Sequence, residues 1–212
     1  MKRPRVLLAD DHTLMLEGLR RLLEDECDLV GAVEDGRALL DAAARLRPDL
    51  ILLDISMPLL NGLEAARRLR TLVPDSRIIF LTMHADPTYA TEAFQAGGAG
   101  YLLKRSAASE LSAAISTVLD GRLYLTPLIT RDALPSVGPT PIPQHLGELT
   151  PRQREVLQLV AEGHAAKDIA GRLGISVKTV EFHKTRIMDR LGLRTASELT
   201  KYAVAHGVTD LR

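Results

Sequence analysis

The chain predicts a parallel, doubly wound α/β domain followed by a small all-helical domain, on three observations. Between residues 5 and 121, short apolar runs alternate with stretches of helical periodicity five times over. A cluster of prolines follows, Pro127, Pro135, Pro139, Pro141 and Pro143. From Leu149 onward the pattern is helical, with no strand signal.

Taken in order, the candidate strands are "RVLLAD", "LVGAVE", "LILLD", "RIIFLT" and "GYLLK", and the helices between and after them begin near His12, Gly36, Gly62, Pro87 and Ala107. Parallel strands need crossover connections, and helices supply them. The strands lack polar alternation, as strands buried on both faces do. The expected sheet is five-stranded, in the order 2-1-3-4-5. Prolines remove backbone donors and disfavour helix in the preceding residue, so residues 122–147, proline-rich from about 135, read as a linker between domains at 1–121 and 148–212. In the second domain, Thr150, Pro151 and Gln153 form a capping-box start, and Gly163 ends that helix. A short helix from about Ala166 to Leu173 follows. Ser176 caps a third, running to about Leu191, and Thr195 with Glu198 opens a fourth. Two short helices joined by "LGIS" suggest a helix-turn-helix.

Composition sets outer limits. The 212 residues are 46% apolar, ample for a core, and carry no net charge. That zero hides an asymmetry: residues 1–122 hold 15 basic and 18 acidic side chains, whereas residues 145–212 hold 11 and 8. The single cysteine, Cys27, excludes an internal disulfide and a cysteine metal cluster. No run approaches the roughly 18 apolar residues of a membrane span, and "MKRPRVLLADD" lacks a signal-peptide core. A soluble, cytoplasmic protein is expected, with no membrane partner.

In an open parallel sheet, functional groups gather beyond the carboxyl ends of the strands. Here those ends carry Asp10 and Asp11, Asp54, Thr82 and Lys104. A single polar residue there only marks the start of a loop, but three carboxylates brought together by neighbouring strands raise one another's pKa unless a cation intervenes. Mg²⁺ suits such hard oxygen ligands and keeps positions free for phosphate. Lys104 and Thr82 would offer a charge and a hydroxyl donor to a phosphoryl group. The expected chemistry is phosphoryl transfer onto a carboxylate.

The acidic pair, "LLDISMPLLNG", the hydroxyl in "IIFLTMH" and the lysine in "GYLLKRS" together resemble the receiver domain of two-component response regulators, which is flavodoxin-like. The resemblance implies that Asp54 accepts phosphate from a sensor histidine kinase. Asp11, Asp54 and the Ser56 carbonyl would hold Mg²⁺, with Asp10 as a further or water-mediated ligand. Thr82 would shift toward the phosphoryl group, Tyr101 would rotate inward as space opens, and Lys104 would pair with the phosphate or with Asp54. Met57 reads as loop packing, His84 as an exposed loop residue and Cys27 as a bystander. Met83 is bulkier than the small residue usual after the switch hydroxyl.

On the third helix of the second domain, steps of 100° put Val180, Ile187 and Leu191 on one face and Glu181, Phe182, Thr185 and Asp189 on the other. An outward phenylalanine needs a cover, and a thymine methyl in a major groove would serve. Lys167, Arg172, Lys178, Lys184 and Arg186 supply positive charge for phosphates. This domain resembles the LuxR-type helix-turn-helix, and the whole chain resembles a NarL/FixJ-type response regulator. By that resemblance Glu181, Phe182 and Thr185 would face bases, while Lys178, Thr179, His183, Lys184 and Arg186 would position the backbone. Ala165 and Ala166 leave the second helix without a side-chain cap.

The expected function is a Mg²⁺-dependent, phosphorylation-switched transcriptional regulator that binds double-stranded DNA as a homodimer, pairing through the fourth helix around residues 196–204. Phosphorylation would free the DNA-binding face. One alternative is a phosphorylation-independent dimeric transcription factor with the receiver as dimerisation module. Another is a phosphohydrolase, disfavoured because "ISMP" after Asp54 places no second acid two positions on.

Overall fold

The computed structural model describes residues 3–129 and 149–209. The proline-rich stretch expected to be a linker lies largely outside them. The first domain runs β1 (Arg5–Ala9), α1 (Thr13–Leu23), β2 (Asp28–Val33), α2 (Gly36–Leu46), β3 (Leu50–Asp54), α3 (Gly62–Leu72), β4 (Arg77–Thr82), α4 (Pro87–Ala96), β5 (Gly100–Leu103), a 3-10 turn (Lys104–Ser106), α5 (Ala107–Leu119) and β6 (Tyr124–Leu125). All pairings are parallel, in the order β2-β1-β3-β4-β5-β6.

The expected order holds, with one strand added. β6 is held by Tyr124 N–H donating to the Ala99 carbonyl and Thr126 N–H to the Tyr101 carbonyl, both at 3.0 Å. The Tyr124 and Thr126 hydroxyls both donate to the Glu110 carboxylate on α5, at 3.0 and 2.6 Å. A two-residue strand is too short for periodicity to reveal, and contacts distant in sequence form it.

The unbroken apolar runs follow from burial on both faces. Ile51 and Leu53 of β3 enter the core shared with α2, α3 and α4, while Leu50 and Leu52 enter the core shared with α1 and α5. Helix starts follow local capping: the Asp35 carboxylate accepts from the Arg37 and Ala38 amides, Asn61 from Glu64, and Asp86 from Thr88 ahead of Pro87. Cys27 is buried in the α1 and α5 core, where burial pushes its thiol pKa up.

The second domain comprises α6 (Pro151–Ala161), α7 (Ala166–Leu173), α8 (Val177–Leu191) and α9 (Ala196–Ala205). Reciprocal capping boxes open α6 at Thr150 and Gln153 and α9 at Thr195 and Glu198. Gly174, in the left-handed conformation, ends α7, and Ser176 caps α8. As its sequence requires, α7 starts at Ala165 with no side-chain cap. Val156, Leu157, Leu159, Ile169, Val180, Ile187 and Leu199 form a separate core. Among the described residues no helix is long and apolar enough to cross a membrane.

Candidate functional site

The carboxyl ends of β1, β3, β4 and β5 bring Asp10, Asp11, Asp54, Thr82 and Lys104 to one edge of the sheet. Gly62 makes the approach possible: a Cβ there would lie 2.0 Å from the Asp54 carbonyl oxygen, so only glycine lets α3 start against the end of β3. Asp10 and Asp54 are 1% and 3% exposed. Lys104 Nζ lies 2.8 Å from a carboxylate oxygen of each and bridges them.

Burial raises the Asp54 pKa to about 6; Lys104 pulls it down, and Asp10 and Asp11 push it back up. Burial alone would lower the Lys104 pKa, but Asp54 and Asp10 outweigh it and raise it. The site is thus a buried excess of negative charge that one ammonium only partly offsets.

Asp10, Asp11, His12 and Asp54 each offer a ligand atom, all within 4.8 Å of one another. Hard carboxylate oxygens at that spacing, with surplus negative charge, fit a small divalent cation such as Mg²⁺. His12 enters this cluster unforeseen. Its Nδ1 lies 3.1 Å from oxygens of Asp10 and Asp11, and its N–H donates to Asp10 at 2.9 Å. The run "DDH" was the available signal.

One expectation needs correction, that His84 is an exposed loop residue, and Tyr101 has a defined place beside it. Tyr101 is inward, fully buried, with its hydroxyl donating to the His84 carbonyl at 2.9 Å. Burial of the ring raises its hydroxyl pKa. His84 is no exposed bystander: its ring stacks on Tyr89 at 4.4 Å between centroids, its Nε2 lies 3.3 Å from Ser56 Oγ, and its N–H donates to Thr82 Oγ1 at 3.1 Å. Met57 is buried as loop packing, while Met83 is 71% exposed.

On the helical domain, Val180 and Ile187 are fully buried, and Phe182 is 56% exposed. Lys178, Glu181, Thr185 and Arg186 share that exposed surface, whereas Thr179, His183 and Lys184 are half-buried. The Arg186 guanidinium stands 5.3 Å over the Phe182 ring, a cation–π pairing that couples the apolar and basic parts of the face. Lys184 Nζ lies 3.9 Å from Glu181, moderating the acid on this surface. His183 Nδ1 is buried and makes no hydrogen bond among the described residues. The first domain contacts α6, and the outward residues of α8 stand in solvent already.

Residues 6–116 match the response regulator receiver domain family, and residues 147–203 match the luxR family of bacterial regulatory proteins. The transcriptional regulatory protein MctR of Rhizobium johnstonii is 35% identical across 97% of this chain and 95% of its own. The response regulator GacA of Pseudomonas aeruginosa is 34% identical across 97% and 98%. Among solved structures, the Salmonella typhimurium RcsB response regulator superposes with a TM-score of 0.69 at 29% identity, covering 99% of this chain and all of that one. An RcsB–DNA complex matches with a TM-score of 0.59 at 28% identity, covering 96% of this chain and 99% of that one. With an acidic, lysine-bridged sheet edge in one domain and an exposed helix-turn-helix in the other, the chain belongs to the two-component response regulators of the LuxR family, a receiver domain joined to a DNA-binding domain.

Proposed function

We propose that this response regulator is switched by phosphorylation of Asp54. The observation that carries the reading is the Lys104 bridge between Asp10 and Asp54, with the Asp54 pKa raised to about 6 by burial and like charge. A carboxylate held at higher energy than one in water gains from receiving a group that a cation and a lysine can then neutralise. An Asp54 carboxylate oxygen attacks phosphorus in line, and the bond to the donor imidazole of a sensor histidine kinase breaks. The imidazole leaves with the electron pair. Lys104 turns from the carboxylates to a phosphoryl oxygen, and Thr82 donates its hydroxyl to another. Asp10, Asp11, Asp54 and the Ser56 carbonyl would hold Mg²⁺, which would supply neutralisation of charge on the transferring group.

In the helical domain, Glu181, Phe182 and Thr185 read base edges, and Lys178, Lys184 and Arg186 engage phosphates, with the chain paired as a homodimer through α9 on two half-sites. The regulator works in the cytoplasm, beside its DNA and its kinase. The receiver assists its own phosphorylation without being a turnover enzyme.

The test compares wild type with Asp54→Asn in the presence of Mg²⁺ and a small phosphodonor. Wild type gains a phosphoryl adduct and binds its operator more tightly, and the variant does neither. An equal DNA response from both would replace the switch with the phosphorylation-independent dimer.

A further inference from the structure

The second domain is fastened to the loop that follows Asp54. Gln158 on α6 is 1% exposed. Its side-chain amide donates to the Met57 carbonyl at 2.8 Å, and its side-chain carbonyl accepts from the Asn61 N–H at 2.8 Å. The same amide also donates to Glu162 at 2.8 Å, and Glu162 accepts from the Leu59 N–H at 3.2 Å. Both side chains are therefore spent on backbone groups of one loop.

Leu59, between the two bonded residues, has φ +66. A left-handed backbone is costly for an L side chain and persists where surrounding contacts over-determine it. The contact is plain here, since the Leu59 side chain packs against the helical domain's core. Ion pairs between Arg68 and Glu155 and between Glu64 and Arg154 flank the seam. On the other side Gly207 lies so close to Tyr89 that a Cβ would sit 2.7 Å from its hydroxyl, and Tyr89 stacks on the His84 that reaches Ser56. The helical domain thus braces the neighbourhood of Ser56 from two directions.

We infer that Gln158 is a positioning residue for the Asp54 site: it holds Met57 and Asn61, and so pre-orders the loop that presents the Ser56 carbonyl to a divalent cation. The inference rests on the reading of Asp54 and Ser56 given above. Among the described residues the Ser56 carbonyl accepts no hydrogen bond, which leaves it available as a ligand. A ligand group fixed in advance binds metal without a further ordering cost, and groups that support a ligand without touching the metal commonly change its affinity about tenfold or more. By linkage, a cation at the carboxylates tightens the seam in return. This coupling leaves the outward face of α8 uncovered, so domain docking and DNA binding are compatible.

The test uses the full chain as wild type, Gln158→Ala and Gln158→Glu, followed by hydrogen exchange over residues 55–62 with Mg²⁺ alone and by phosphorylation rate against Mg²⁺ concentration. In wild type the Leu59 and Asn61 amides are protected, and Mg²⁺ increases the protection. Gln158→Ala loses that protection, and its half-saturating Mg²⁺ rises roughly tenfold or more with the rate at saturating Mg²⁺ retained, which also reports an intact receiver. Gln158→Glu keeps the acceptor for Asn61 but loses the donor to Met57 and opposes Glu162, so it falls at least as far. Loss of protection with an unchanged Mg²⁺ requirement would reduce the seam to packing and overturn the inference, as would retained protection. A wild type that takes no phosphoryl group refutes the proposed function instead. The Mg²⁺-dependent protection and its loss in Gln158→Ala then still decide this inference.

Discussion

Asp54→Asn should make the receiver more stable at neutral pH, although it removes the proposed phosphoacceptor. Folding raises the Asp54 pKa from 3.8 to about 6, chiefly through burial, with Lys104 opposing and Asp10 adding to the rise. At about 1.4 kcal/mol per pH unit, the ionised carboxylate costs the folded state about 3 kcal/mol when both states are deprotonated. The sign follows from proton binding. Between pH 3.8 and about 6 the folded state holds a proton that the unfolded state has lost, so this group's contribution to stability rises as pH falls and is least favourable above that window. Asparagine keeps the shape without the charge, but leaves Lys104 with Asp10 as its remaining partner, so a net gain of about 1–3 kcal/mol is expected, several degrees in Tm. The assay is calorimetry of both proteins in chelator, at about pH 7.5 and again at about pH 4.5. The gain should shrink at the lower pH, where wild-type Asp54 has taken up its proton. An Asp54→Asn protein no more stable than wild type at neutral pH, or a gain that persists unchanged in acid, would refute the electrostatic account of the site.

Lys104→Ala leaves two buried carboxylates without their shared cation; a loss on the order of 3 kcal/mol is expected, and denaturation with millimolar Mg²⁺ should recover much of it if those oxygens form a cation site. Phe182→Ala removes an exposed ring, so operator affinity measured by fluorescence anisotropy should fall by about 1 kcal/mol, roughly fivefold, with the melting temperature unmoved. A matching loss of stability would show that the ring packs on the protein. Gly62→Ala forces a Cβ to within 2.0 Å of the Asp54 carbonyl oxygen, and should cost at least about 2 kcal/mol in urea and slow phosphorylation by displacing the end of β3. Normal stability with normal rates would mean that the strand end yields freely.

Much of the architecture was legible because it is written in short-range chemistry. Unbroken apolar runs signal strands buried on both faces, and Ile51 and Leu53 do face one core while Leu50 and Leu52 face the other. The helix starts at Gly36, Gly62 and Pro87, and the capping boxes at Thr150 and Thr195, depend on residues within one turn of each other. The acidic cluster was readable for a related reason. Strand ends fall at one edge of any parallel sheet, so Asp10, Asp54, Thr82 and Lys104 had to converge once the strand order was set.

The sequence by itself therefore determined the two folds, the order of the first five strands and the convergence of Asp10, Asp54, Thr82 and Lys104 at the sheet edge, since local periodicity, capping and topology suffice for each. Tertiary structure alone decided the rest. β6 exists through hydrogen bonds to Ala99 and Tyr101. Tyr101 reaches the His84 carbonyl and His84 reaches Ser56 across 17 and 28 positions of sequence. The hold of Gln158 on Met57 and Asn61 joins residues 101 and 97 positions apart, and no local pattern encodes a contact that exists only when two independently ordered surfaces meet.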